Sequence, residues 1–340
     1  MVILATWGPQ PWDASEVRRA VFDDADEFLQ RSSFGQVSLH GDVTPWLAAY
    51  PQEPVCPAPV HERVAPALSD PPTAAAARAG YAPSSYDRVI YVVPHIDCPF
   101  NAVGVGREVL LNGVLSPWHV VHELGHTFGL AHAHGLRCNS AGGCTRDEYG
   151  DPFSPMGRGF VDFSAYEKLA MGWIRDVTRA ASPGTYRVGR PDVLAASPHA
   201  LVVKTGRGEY WLEQRLDVDP PGLAVRFVEP DVPDDDLAPS TMYVAPVVAT
   251  GKTFALAGAF SAHYVPLDAS HADLEFAWTD RVRPTRPVLR APADRVRAGG
   301  PLRVAWSSRD PAVGSHSASS GSTDALPRVS RTRRRRPSPR

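Results

Sequence analysis

His119-Val120-Val121-His122-Glu123-Leu124-Gly125-His126-Thr127-Phe128-Gly129-Leu130-Ala131-His132 is the stretch around which the rest of the chain is organised. It holds H-E-x-x-H and extends it to H-E-x-x-H-x-x-G-x-x-H. Residues four apart in a helix lie on one face, so His122 and His126 present two imidazoles to one metal ion, with Glu123 carried beside them. Ser116-Pro117 supplies an N-cap and a proline at the first helical position. Gly129 ends the helix by taking the left-handed conformation, and that turn lets His132 return as a third nitrogen ligand. Three histidines with a fourth position left open describe a catalytic zinc site rather than a structural one. With 12 His in the chain, the five-residue motif alone arises by chance in roughly one such chain in fifty. The added Gly and third His lower that to roughly one in tens of thousands.

Downstream lies Tyr149-Gly150-Asp151-Pro152-Phe153-Ser154-Pro155-Met156-Gly157, a turn-rich segment with an isolated Met. An extended zinc motif followed by a Met-containing turn resembles the metzincin endopeptidases, whose Met forms an apolar floor beneath the three histidines. Met156 takes that place by resemblance; a core filler is its competing reading. Three further stretches narrow the likeness: Phe34-Gly35-Gln36-Val37-Ser38-Leu39, Tyr166-Glu167-Lys168-Leu169-Ala170-Met171-Gly172-Trp173-Ile174, and Glu209-Tyr210-Trp211-Leu212-Glu213-Gln214-Arg215. With them the chain is similar to the gametolysin group of metzincins, secreted proteases that include bacterial members, over roughly residues 1 to 280.

The resemblance implies a mixed twisted sheet plus active-site helix, one catalytic zinc and a protein or peptide substrate. It also implies an edge strand just before the zinc helix on which substrate lies extended. Val103, Gly104, Val105 and Gly106 are the candidates for that edge, with Gly104 and Gly106 as turn residues the competing reading. Some metzincins carry a Tyr two residues after the Met; Arg158 stands there in this chain.

Composition sets wider bounds. At 340 residues, 43% hydrophobic and 21% charged, the chain has room for two ordinary domains and a sizeable core. Its 35 basic and 37 acidic residues give a net charge of −2, so no nucleic-acid partner is implied. Lys168, Lys204 and Lys252 are the only lysines, and with 34 Pro this points to a GC-rich bacterial gene. No run approaches the length of a membrane span. Met1 to Trp7 is too short and too soon polar for a signal peptide, so a secreted enzyme with its export signal missing from this chain is expected. A monomer is expected. Of the four cysteines, Cys138 and Cys144 bracket a flexible loop, while Cys56 and Cys98 lie in Pro-rich surroundings. An even count in an extracellular enzyme favours two disulfides over free thiols, and Cys56 as a zinc-blocking pro-segment thiol has no supporting signature.

Along the chain, residues 1–7 read as a strand. Asp13 to Ser32 reads as an amphipathic helix with Asp13 as cap and Glu16 three residues on. Val37 to Trp46 reads as a strand, Pro51 to Pro72 as a surface loop, and Ala74 to Gly80 as a short helix. Tyr86 to Pro94 is a continuous apolar run, as expected of a central strand. Asp162 to Trp173 reads as a helix. From Thr185 short alternating strands and turns suggest a β-sandwich. Asp234-Asp235-Asp236 lacks a calcium-ligand spacing, so Ca²⁺ is unsupported. The expectation is an α+β protein: a metzincin-like catalytic domain over 1–180 and a β-sandwich-like domain over 181–285. An incomplete immunoglobulin-like segment over 286–309 and a disordered basic tail over 310–340 complete it.

The chemistry this implies is peptide hydrolysis by a zinc-activated water, with zinc on His122, His126 and His132 and Glu123 as general base. His119 and His134 break the ligand spacing. Two other functions stay open: a non-catalytic zinc-containing binding protein that works through its β-domain, and a zinc hydrolase of a non-protein amide. An intact Glu123 argues against the first, and an extended substrate edge would argue against the second.

Overall fold

Strand β1 (Val2–Thr6) is buried along its whole length. In the computed structural model, residues 1–57, 64–138, 144–228, 241–244 and 247–279 are described, with only the backbone of Arg137 and Cys138. The triple-aspartate segment at 234–236, the segment 286–309 and the tail 310–340 lie outside them. Helix α1 (Ala14–Arg18) runs through a π-helical stretch (Arg19–Ala25) into α2 (Asp26–Ser32). Its N-terminus is the expected capping box: Asp13 accepts from the Ser15 and Glu16 amides, and Glu16 accepts from Asp13 N at 2.7 Å.

There follow β2 (Leu47–Ala48), α3 (Pro66–Arg78), β3 (Val89–Val93), β4 (Ala102–Val105), β5 (Glu108–Asn112) and α4 (Pro117–Thr127). The first five strands form one sheet in the order β2-β1-β3-β5-β4, parallel except for the antiparallel edge strand β4. Both its faces are covered, as a parallel sheet requires. Val2, Leu4, Ile90, Val92, Val109 and Leu111 face a core shared with α2 and α4. Their strand neighbours Ile3, Ala5, Val89, Tyr91, Val93 and Leu110 face α3.

Two expectations here need correction. Residues 37–46 form no strand; Val43 makes a lone bridge to Val2. Side chains take the backbone groups that a ladder would have used: Ser33 Oγ accepts from Val37 N at 2.9 Å, and Thr44 Oγ1 from Leu4 N at 2.9 Å. The loop expected to Pro72 becomes helix from Pro66, with Pro71 and Pro72 inside it. Pro72 cannot donate to the Leu68 carbonyl, and Tyr50 Oη does so instead at 2.6 Å, which removes the orphaned acceptor.

After α4 come β6 (Ala133–Cys138), β7 (Cys144–Asp147), α5 (Ala165–Ala170) and β8 (Thr178–Arg179). Helix α5 is shorter than the expected Asp162 to Trp173: Ser164 is its N-cap and makes a second capping box with Glu167. The remaining strands are β9 (Gly184–Gly189), β10 (Leu201–Lys204), β11 (Glu209–Arg215), β12 (Gly222–Val228), β13 (Thr241–Tyr243), β14 (Thr253–Leu256), β15 (Phe260–Pro266) and β16 (His271–Trp278). The fold is thus mixed α+β. A seven-stranded sheet, β7-β6-β13-β12-β11-β10-β8, joins strands from both sides of residue 180, and a four-stranded sheet runs β14-β15-β16-β9. Leu201, Leu212 and Val225 of the first share a core with Phe260, Tyr264 and Leu274 of the second. Met1–Thr279 is one compact unit.

Candidate metal centre

Helix α4 begins as its sequence dictates: Ser116 Oγ accepts from His119 N at 3.3 Å and Pro117 stands at the first helical position. It ends at Gly129 (φ 91°), with Gly129 N bonded to His126 O and Leu130 N to Gly125 O. That reversal brings His132 back beside the helix. His126 Nε2 lies 3.2 Å from His122 Nε2 and 3.1 Å from His132 Nε2. Zinc–nitrogen bonds of about 2.0–2.1 Å in a tetrahedron place neighbouring nitrogens roughly 3.3 Å apart, so the three atoms fit one ion. Among the described residues, His122, His126 and His132 are the group whose ligand atoms converge for a metal.

The other ring nitrogens fix the tautomers. His122 Nδ1 lies 2.7 Å from Pro155 O, His126 Nδ1 2.9 Å from Leu130 O, and His132 Nδ1 3.0 Å from Glu148 Oε1. Carbonyl and carboxylate oxygens only accept, so each Nδ1 donates its hydrogen and Nε2 is the ring nitrogen turned to the centre. Burial holds His122 well below the ordinary imidazole range, and the neighbouring His126 and His132 push it further down. Both effects favour the neutral ring.

Two glycines let the surroundings close in. A Cβ on Gly125 would lie 2.3 Å from Met156 Sδ, and one on Gly104 would lie 2.1 Å from the Glu123 carbonyl oxygen. Met156 is fully buried against the middle of α4. Val103, Gly104 and Val105 lie in the edge strand β4, with Gly104 against α4 and Gly106 (φ 61°) in the turn that leads to β5. Glu123 is buried in α4 between the two histidines of the helix.

His119 and His134 stand apart from the converging group. His119 Nδ1 meets Ser116 Oγ at 2.7 Å, and His134 Nε2 contacts the Arg146 guanidinium. Cys56 and Cys98 form a disulfide. Cys144 is also disulfide-bonded, and its register partner across the β6–β7 hairpin is Cys138, whose side chain is outside the described residues.

Sequence reasoning missed Tyr149 as a neighbour of the centre: its ring lies 4.3 Å from that of His132 and 5.8 Å from that of His122. It missed Glu148 as well, since no local pattern marks a carboxylate that reaches back sixteen residues to His132.

No curated protein matches the chain. The sequence model of the family described as Gametolysin peptidase M11 matches residues 25–197, just over half of the chain. That span carries α4, the three converging histidines and the turn under them, and by this match the chain belongs to the gametolysin family of metallopeptidases.

Proposed function

We propose that the protein is a zinc-dependent endopeptidase of metzincin type, with the strands beyond residue 180 forming a β-sandwich-like part of the same molecule. The observation that carries this is the convergence of three Nε2 atoms with every Nδ1 tied to an acceptor. His122, His126 and His132 would hold a zinc ion, which would lower the pKa of a bound water toward about 7 and supply Lewis acidity toward a carbonyl. In this reading the Glu123 carboxylate takes a proton from the attacking water and returns it to the leaving amine. Its burial strengthens that exchange by excluding competing solvent. Strand β4, packed on α4, has no strand on its outer side among the described residues, and that side offers its backbone to an extended peptide. That supports a protein or peptide substrate over a small amide. The Cys56–Cys98 disulfide supports an oxidising, extracellular setting. No helix among the described residues is long and apolar enough to cross a membrane.

The test is incubation of the chain with a complex peptide mixture, cleavages being mapped by mass spectrometry. New cleavages that vanish with a zinc chelator and fall at least about 100-fold in Glu123→Ala are expected. Identical maps from wild type and variant, with zinc bound, would sink the endopeptidase reading.

A further inference from the structure

The turn at residues 151–157 touches the metal centre at two points. Pro155 O fixes His122 Nδ1 at 2.7 Å. Ala133, the residue after His132, donates to Met156 O at 2.8 Å and accepts from Asp151 N at 3.1 Å. The position of this turn therefore sets the ring of one ligand and the backbone beside another.

Asp151 is fully buried, and its carboxylate is gripped by Arg226 of β12, with Nε to Oδ2 at 2.6 Å and Nη2 to Oδ1 at 3.4 Å. Arg226 Nη1 contacts Glu213 of β11, which also accepts from Arg215 Nη1 at 3.2 Å and from Ala165 N at 2.6 Å. Arg215 Nη2 reaches the Phe153 carbonyl of the same turn at 3.4 Å. Each of these four charged side chains is at most 1% exposed. Burial opposes the charge on Arg226, and the carboxylates of Asp151 and Glu213 more than offset it, so its pKa stands above the ordinary range.

Apolar side chains of similar volume often stabilise a core as well as such a set does, so stability alone gives little reason for it. A planar guanidinium fork does what an apolar side chain cannot: it fixes a carboxylate in direction as well as in place. Both Arg226 and Glu213 lie beyond residues 25–197, the span matched by the family.

We propose that Arg226 is a positioning residue of the metal centre: its fork holds Asp151, and with it the turn that orients His122 and the backbone flanking His132. This rests on reading the three histidines as a metal site. Strands β11 and β12 are, on this account, part of the apparatus that sets metal affinity.

The test uses the full chain and the variants Arg226→Met, Arg226→Lys and Asp151→Asn. Leu274→Ala, on the four-stranded sheet, serves as a control destabilised away from the turn. Zinc affinity is measured by competition with a chromophoric chelator, alongside the visible spectrum of the cobalt-substituted protein and peptide cleavage kinetics. Arg226→Met and Asp151→Asn are expected to lose about 10- to 100-fold in zinc affinity, to shift the cobalt spectrum, and to lower kcat more than KM changes. Arg226→Lys, which keeps the charge without the fork, is expected to fall between them and wild type. Leu274→Ala should melt early yet bind zinc as wild type does.

Zinc affinity within twofold of wild type in folded Arg226→Met or Asp151→Asn overturns the proposal, as does an equal loss in Leu274→Ala. Should Arg226→Met not fold, Asp151→Asn and Arg226→Lys decide by the same criterion. A wild type that binds zinc but cleaves nothing would sink the endopeptidase reading and leave this one standing.

Discussion

Helix α4 is seated through Val120, Val121 and Leu124, all fully buried in one apolar cluster with Val109 and Leu111 of the sheet beneath. The turn at 151–157 adds Met156 to the same cluster but is also held through Asp151 by Arg226, which Glu213 braces in turn. Apolar packing is non-directional, and a core accepts shape changes as long as volume is kept. An ion pair inside a low-dielectric interior has a defined direction and a large penalty for losing one member. The helix, rigid in itself, needs only to be pressed into place. The turn has no internal ladder and needs to be aimed.

The difference can be broken from either side. The largest effect is expected from Arg226→Met, which leaves the buried Asp151 carboxylate without its cation and Glu213 with Arg215 alone; urea denaturation should show a loss of about 3–5 kcal/mol. A loss below about 1 kcal/mol would mean that the turn is held by something else. Next comes Gly104→Ala, whose new Cβ meets the Glu123 backbone 2.1 Å away. Neither backbone can yield locally, so about 1–3 kcal/mol is expected, with slower peptide cleavage because the edge strand moves off α4. A fully stable, fully active Gly104→Ala would remove the close approach from the account.

On the helix side, Leu124→Met conserves volume and should cost less than about 1.5 kcal/mol, with zinc affinity unchanged. If it weakened zinc binding as much as Asp151→Asn, the two supports would not differ in kind. The smallest effect concerns pH. Burial raises the Glu167 carboxyl from 4.5, opposed by Arg226 and by the Ser154 hydroxyl. A raised pKa in the folded state means stability present below pH 4.5 and lost as pH rises through the folded value. The advantage of wild type over Glu167→Gln should therefore shrink as pH climbs from 4.5, read from urea midpoints across a pH series. An advantage that grows with pH would contradict the sign.

Much of the helix side was legible in the sequence because its signals are local. The cap at Ser116, the proline after it, the four-residue step between His122 and His126 and the turn at Gly129 all act within a few residues. The buried run at 89–93 and the capping box at Asp13 were equally plain. The errors came where partners are distant. Residues 37–46 have strand-like spacing, yet the Ser33 hydroxyl takes the Val37 amide and the Thr44 hydroxyl takes the Leu4 amide of β1. The helix through Pro71 and Pro72 depends on Tyr50, sixteen or more residues earlier, accepting the role of donor to Leu68.

The turn side was hidden for the same reason. Asp151 and Arg226 stand 75 residues apart, and no local pattern joins them. The stretch Glu209 to Arg215 stood out only as a likeness to relatives; the physical reason for its charges appears once the sheet is assembled. Tyr149 beside His132 needed the hairpin fold-back that the sequence does not signal.

Strand β6 carries the flank of the third histidine, and its parallel neighbour β13 pairs Thr241 with Ala133. A ribosome that adds about 5–20 residues each second reaches that neighbour only some 5–20 s after it has made β6. The His132 side of the pocket is therefore finished late in synthesis, long after the helix with the first two histidines has emerged. A nascent chain that stops short of Thr241 has all three converging histidines and no completed wall behind them, so the order of manufacture itself delays a working hydrolase until most of the chain has left the ribosome.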